Sequence, residues 1–393
     1  MWEQIRSNRW RSNVLVAAMA AVLASLGYVA GEWALGGGGG PVGLLFGLAV
    51  LGVQLAVYAT AGEAIVLRSA GARPLAREDS PRLWNVVEEM AIAAGLPRPP
   101  RVYLIDDPAP NAFAVGRRPE EAAIAVTTGL MIRLNRDELQ GVVGHEVAHI
   151  GNRDVQFMTL AAVLLGSVVI LSDVLWRSMR YGGRSWRRSR SRDGTGHAIV
   201  AVAALVLAVL APLLVRILYF ATSRRREYLA DASAAQFTRY PEGLASALEK
   251  IAQAPARPVA ANAVTASMFI VNPLQAGDRG LFATHPPTSE RIRILRGMAG
   301  AGLADYEAAY RRLRGGRVIG PRSLASAGAL RIRPPSEEGP VATRAQVREI
   351  VHRLGDYRTI RCPCGATVSV PQPYEREEVR CIRCGAVHRV VRG

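Results

Sequence analysis

The sequence predicts a multi-pass α-helical membrane protein that carries a mainly helical α+β domain and, at its end, a small β ribbon. Three observations predict it. Half of the 393 residues are hydrophobic and gather in long runs, a helix between two runs bears paired histidines, and all four cysteines lie at or after Cys362.

Four runs approach the roughly 20 residues that cross a bilayer: 13–35, part of 42–67, 155–176 and 198–220. The first is too long for a signal-peptide core and has no convincing cleavage site, so it reads as a retained anchor. The formal net charge is +17, and Lys250 is the one lysine among the basic residues. Arg6, Arg9 and Arg11 precede the first run, and Arg68, Arg73 and Arg77 follow the second; the loop 36–40 between them is uncharged. By the positive-inside rule the amino terminus and the region after residue 68 face the cytosol, in the inner membrane. The connection between the third and fourth runs carries Arg177, Arg180, Arg184, Arg187, Arg188, Arg190 and Arg192, which the same rule would keep inside. Either that hairpin crosses incompletely or the first pair fixes the orientation.

Past residue 75 the chain turns polar. Ser80-Pro81 opens a helix that stops at Gly95, 101–105 reads as a strand, and 122–126 as another. Between them Asn111, Ala112, Phe113 and Ala114 sit among Pro108, Pro110 and Gly116, and prolines favour a sheet edge. An edge strand can pair with an extended substrate, or simply end the sheet.

The stretch that decides the chemistry is His145-Glu146-Val147-Ala148-His149. Asn135 and Glu138 make a capping pair ahead of it, and Leu139, Val142, Val143, Val147 and Ile150 keep a helical apolar spacing. Side chains four apart share a helix face, so both histidines can close on one zinc ion. Glu146, one residue round, falls beside that ion as a general base, which makes the pentad a peptide-hydrolysis signature of zincin type. A catalytic zinc needs a third protein ligand. Val155 stands where a metzincin would place its third histidine, and the best remaining candidate is Glu227, with Asp231 four residues on to accept a ligand histidine's outer N–H. The plainer reading of that pair is two solvated acids on a helix. Asn152, Arg153 and Asp154 mark the membrane surface just before the third run, which puts the site beside the bilayer rather than within it.

Downstream, 241–251 reads as a helix and Thr288 as the cap of a helix over 289–298 that carries Arg291. His285 is either a structural histidine or a donor to an oxyanion. A short helix at 305–313, a Pro/Glu/Gly-rich linker at 334–341 and a helix near 345–354 lead to Cys362, Cys364, Cys381 and Cys384. Two close pairs, each followed by a β-prone run (367–370 and 387–391), suggest a ribbon closed on a second, structural zinc by four thiolates; a disulfide within a pair would be strained. The expected domains are a hairpin at 1–67, a catalytic domain at 68–300 interrupted by the second hairpin, a helix and linker at 301–340, and the tail at 341–393.

Several ordered segments resemble the HtpX family of membrane-bound zinc metalloproteases, gluzincins distantly related to the CAAX prenyl endopeptidases: two amino-terminal spans, NAFAVGR at 111–117, VTTGL at 126–130, HEVAH at 145–149, REYLAD at 226–231 and THPPTSERI at 284–292. The resemblance implies zinc on His145, His149 and Glu227, catalysis by Glu146, a substrate cleft lined by Asn111–Ala114, and active-site places for His285 and Arg291. It also implies quality control of damaged or misfolded membrane proteins at the cytosolic face, so polypeptides and lipid are the expected partners. The tail and the arginine-rich loop depart from the simplest family pattern. The competing class is a membrane-anchored binding protein whose basic surface and ribbon contact lipid, RNA or protein; few aromatics in the tail could stack bases, so nucleic acid is not expected.

Overall fold

The computed structural model describes residues 2–35, 38–164, 224–254, 268–271, 286–336, 339–355, 357–365, 367–371, 378–381 and 383–389. The chain begins with two long helices, α1 (Trp2–Leu35) and α2 (Gly40–Ser69), packed as a hairpin. Their contact is made of glycine. A Cβ built on Gly27 would stand 2.1 Å from the Gly43 carbonyl oxygen, and one on Gly43 would stand 1.9 Å from that of Gly27. The repeats Gly27/Gly31 and Gly43/Gly47 thus let two backbones touch, the way helices associate where no water drives them together. The Glu32 carboxylate closes the turn by accepting the N–H groups of Gly38 (3.0 Å) and Gly40 (2.7 Å).

Among the described residues α2 is the one helix long and apolar enough to cross a membrane, and it exposes Leu45, Phe46 and Val53. The expected first span, 13–35, lies within α1, where Trp10–Ser25 is an apolar helical stretch. Of the expected third span the described part is helical, Asp154–Leu164, which becomes α6 below. Residues 165–176, the arginine-rich loop and the fourth expected span lie outside the described residues.

After the hairpin come β1 (Arg73–Pro74), α3 (Pro81–Ala93), β2 (Arg101–Ile105), β3 (Ala112–Val115) and β4 (Ala123–Thr127). The sheet order is β1-β2-β4-β3, with β2 and β4 parallel and β3 antiparallel to β4, so β3 holds the edge as its flanking prolines suggest. Then come α4 (Thr128–Arg133), α5 (Arg136–Gly151) and, after Arg153 turns the chain at φ 59°, α6 (Asp154–Leu164). The capping box on α5 is complete: the Asn135 side chain accepts the Glu138 N–H and Glu138 accepts that of Asn135, both at 2.9 Å. A cap contributes on the order of 1 kcal/mol. Leu139, Val142, Val143 and Val147 are fully buried at about 1.5–3 kcal/mol each, so packing rather than capping holds this helix in place.

Around α5 stand α3, α7 (Arg224–Thr238) and α8 (Pro241–Ala252), with α9 (Thr288–Arg296) and α10 (Leu303–Arg314) outside them. Thr288 is the first residue of α9 and Pro287 its cap, one residue from the expected arrangement. The stretch after residue 300 packs on the same core. Tyr306 is fully buried, and Glu307 accepts the N–H groups of Val318 (3.1 Å) and Ile319 (2.9 Å) ahead of α11 (Pro321–Ala325). The expected linker is also fastened down: Asp137 accepts from Arg333 (2.5 Å) and from the Ser336 N–H (2.6 Å). Helix α12 (Arg344–Leu354) buries Val347 and Ile350 in the main core.

The tail is two antiparallel hairpins, β5 (Tyr357–Arg361) with β6 (Thr367–Pro371) and β7 (Glu378–Arg380) with β8 (Val387–Arg389). Each carries a strand before its cysteine pair as well as the expected one after it. Gly365 and Gly385 take left-handed φ of 80° and 79° directly beyond each pair, turning the chain so that both thiols of a pair face one point.

Candidate metal centre

Helix α5 presents His145 and His149 one above the other, and α7 brings Glu227 against them. The two Nε2 atoms are 3.2 Å apart, Glu227 Oε2 is 3.6 Å from His145 Nε2, and Glu227 Oε1 is 3.5 Å from His149 Nε2. Bonds of about 2.0–2.1 Å to a common tetrahedral ion would place donor atoms roughly 3.3 Å apart. The separations fit one zinc.

The far side of each ring makes the same point. His145 Nδ1 lies 2.9 Å from Asp231 Oδ1, and His149 Nδ1 lies 2.9 Å from Asp154 Oδ2. Each Nδ1–H then donates to a carboxylate, so each Nε2 turns a lone pair toward the other. Two facing lone pairs beside a carboxylate call for a cation. Burial disfavours a proton on His145, but hydrogen bonds to Asp231 and Glu227 outweigh it and push the pKa up to about 9. A metal ion competes with that proton, so binding releases it.

Asp231 is itself fully buried; burial raises its pKa, but Arg291 and His145 hold it below the usual value. Arg291, 1 % exposed, clasps it through Nε (2.9 Å) and Nη2 (2.7 Å), and its Nη1 reaches within 3.8 Å of Glu227. Asp154 is the residue sequence reasoning passed over. It had marked the membrane surface, whereas here it accepts from both His149 and the Asn8 side chain of α1 (2.6 Å). Only the left-handed turn at Arg153 folds it back.

Glu146 lies beside the donors, 2 % exposed. Burial pushes its pKa up to about 7, against the pull of His145, of His149 and of the Ala114 N–H that it accepts. A cavity of about 30 Å³ adjoins it, lined by Ala114, Val155, Met158, Met268 and Phe269, with room for a water. Of the four residues expected to line a substrate cleft, Ala114 alone among the described residues reaches this space. Asn111 spends its side chain on the Val271 carbonyl (2.9 Å), and Phe113 packs edge-on against Phe269 at 5.2 Å. The Ala112 carbonyl accepts the Ile270 N–H (3.0 Å), so residues 268–271 cover part of the β3 edge. Arg291 Nη1 holds the same segment through the Ile270 carbonyl (3.1 Å). His285 lies outside the described residues.

The model of peptidase family M48 matches residues 77–299, which span the elements from α3 to α9. The chain belongs to peptidase family M48. Its relatives agree. It is 45% identical to a protease HtpX homolog of Dictyoglomus thermophilum over 76% of this chain and 94% of that one, and 40% identical to one of Thermoanaerobacter pseudethanolicus over 76% and 98%. A third, of Streptococcus gordonii, is 38% identical over 76% of this chain and 100% of its own. No solved structure matches. An M48 chain with this donor set and these HtpX relatives is a membrane zinc metalloprotease acting on polypeptides. The M48 match ends before the cysteines, where Cys362 and Cys384 Sγ are 3.4 Å apart, Cys364 and Cys381 Sγ 3.8 Å, and all four lie within 4.8 Å of one another.

Proposed function

We propose that the chain is a membrane-bound zinc endopeptidase that cuts misfolded or damaged membrane proteins at the cytosolic face, with His145, His149 and Glu227 as ligands and Glu146 as the base. The observation that carries this reading is the pair of imidazole nitrogens facing each other at 3.2 Å beside Glu227 and Glu146. Zinc, when bound, supplies Lewis acidity toward a carbonyl and a water. The chain's own part is positional and protic. Asp231 and Asp154 hold the rings in the tautomer that bares Nε2, and Arg291 steadies Asp231. Glu146 takes the proton of the attacking water on a carboxylate oxygen and returns it to the leaving amine; burial, which weakens its acidity, suits it to both.

Membrane substrates are favoured because Val155 and Met158, at the start of the third apolar run, line the cavity. The cytosolic face is supported by the basic residues at the start of α1, where Asn8 bonds Asn152 and Asp154, and by Arg68 in the last turn of α2. Four clustered thiols in two like turns support a second, structural ion in the tail.

Glu146→Gln keeps the shape and removes the base. In membrane vesicles with an unfolded membrane protein as substrate, cleavage is expected to fall by about 10²- to 10⁴-fold with zinc retained. For the parent, activity is present where Glu146 is ionised and lost as pH falls through its pKa, at or below about 7 because a bound cation lowers it. Equal cutting by parent and variant would remove Glu146 from this role.

A further inference from the structure

Arg226 forms a wall shared by two spaces. On one side is the cavity beside the metal donors, and on the other is a second cavity of about 250 Å³ between the start of α1, the end of α5, α7 and the turn before α11. Arg11, Arg225 and Arg226 all line this second space, with Ser233, Gln236 and Ser323 among its polar groups, and no carboxylate lines it among the described residues. Arg225 Nε donates to the Val318 carbonyl (3.1 Å) and Arg226 pairs with Asp154 at 3.7 Å and lies over the Phe157 ring, so the hollow keeps an excess of positive charge that a bound anion would offset.

The level of the cavity in the fold narrows the choice of anion. Arg11 stands just ahead of the first apolar run, 13–35, and Arg225 is in the first turn of α7, just beyond the fourth. On the membrane reading above, these two points mark the passage from water into lipid. Arginine meets phosphate with paired N–H groups, and the serine and glutamine side chains suit glycerol hydroxyls. Phe237 and Ile319 supply an apolar wall for the carbons between.

We propose that this cavity binds the phosphate headgroup of an anionic phospholipid, holding the start of α1 against the catalytic domain through Arg11, Arg225 and Arg226. The proposal rests on the membrane placement for the source of the phosphate and on the cavity alone for its capture.

The test uses the full chain, stripped of lipid in a neutral detergent, with three probes: short-chain phosphatidylglycerol, phosphatidylcholine of the same chain length, and inorganic phosphate. Binding is read by calorimetry, so it does not depend on proteolysis; retention in membranes after alkaline extraction checks the membrane reading separately. Phosphatidylglycerol is expected to bind and phosphatidylcholine to bind more weakly. Arg11→Gln and Arg225→Gln are each expected to weaken phosphatidylglycerol by about tenfold or more, the worth of one charge-assisted hydrogen bond. Arg225 is exposed, so its variant keeps the fold, which an unchanged thermal midpoint without lipid verifies. Equal binding by parent and both variants overturns the site. Inorganic phosphate binding as tightly as the lipid overturns the lipid assignment in favour of a soluble anion.

Discussion

The two metal-donor clusters are built on opposite plans. The four thiols of the tail come from two short hairpins, each turn delivering its own pair with a left-handed glycine behind it. The histidine and glutamate donors come from helices some eighty positions apart in sequence, and each ring is backed by a buried carboxylate, one of them clasped by a buried arginine. A full set of thiolates closes on its ion and leaves no open position. Three donors set beside a base and an open cavity leave room for chemistry. The difference lies in what surrounds the donors rather than in the ion.

That contrast predicts separable failures, and the largest is the first. His145→Ala should abolish peptide cleavage and remove one zinc per chain while the tail keeps its own; Cys381→Ala should remove the other zinc and leave cleavage of a soluble peptide nearly unchanged. Zinc counting by elemental analysis beside a peptide assay reads both, and loss of cleavage in the cysteine variant would break the separation. A smaller effect is expected one layer out. Asp231→Asn leaves the ligands intact but loosens His145, which should weaken zinc affinity or activity by about 10- to 100-fold in a chelator competition. Smallest at the site is the consequence of spreading the hairpin: Gly43→Val forces the α1 and α2 backbones apart and should cost about 1–3 kcal/mol of stability by thermal unfolding in detergent, with both zinc ions retained.

Much of this architecture could be read from local pattern. The capped helix over His145–His149, the strand at 101–105, the edge strand and the clustering of the cysteines follow from spacing, punctuation and residue type. Glu227 was legible too, because two carboxylates four apart on one face lay next to an unfilled ligand position. What stayed hidden depends on contacts between distant segments. Asp154 reaches His149 only through a left-handed backbone at Arg153, a conformation no spacing rule assigns to arginine. Residues 268–271 carry no periodicity, yet they pair with the β3 edge and pack Phe269 on Phe113. The stretch 334–341 looks like a linker because its anchor is a single side chain, Asp137, that accepts the Ser336 N–H. Strands β5 and β7 were missed since their charged residues weaken the β signal.

Asn8 is a small residue with a long reach. It belongs to the opening turns of the polypeptide, yet its amide holds the carboxylate that orients one zinc-facing imidazole. A truncated enzyme engineered for solubility by deleting the first two helices would therefore lose more than its anchor. Kinetic constants measured on such a fragment would describe a looser catalyst, with His149 freer to turn, and would understate what the intact protein achieves in its bilayer.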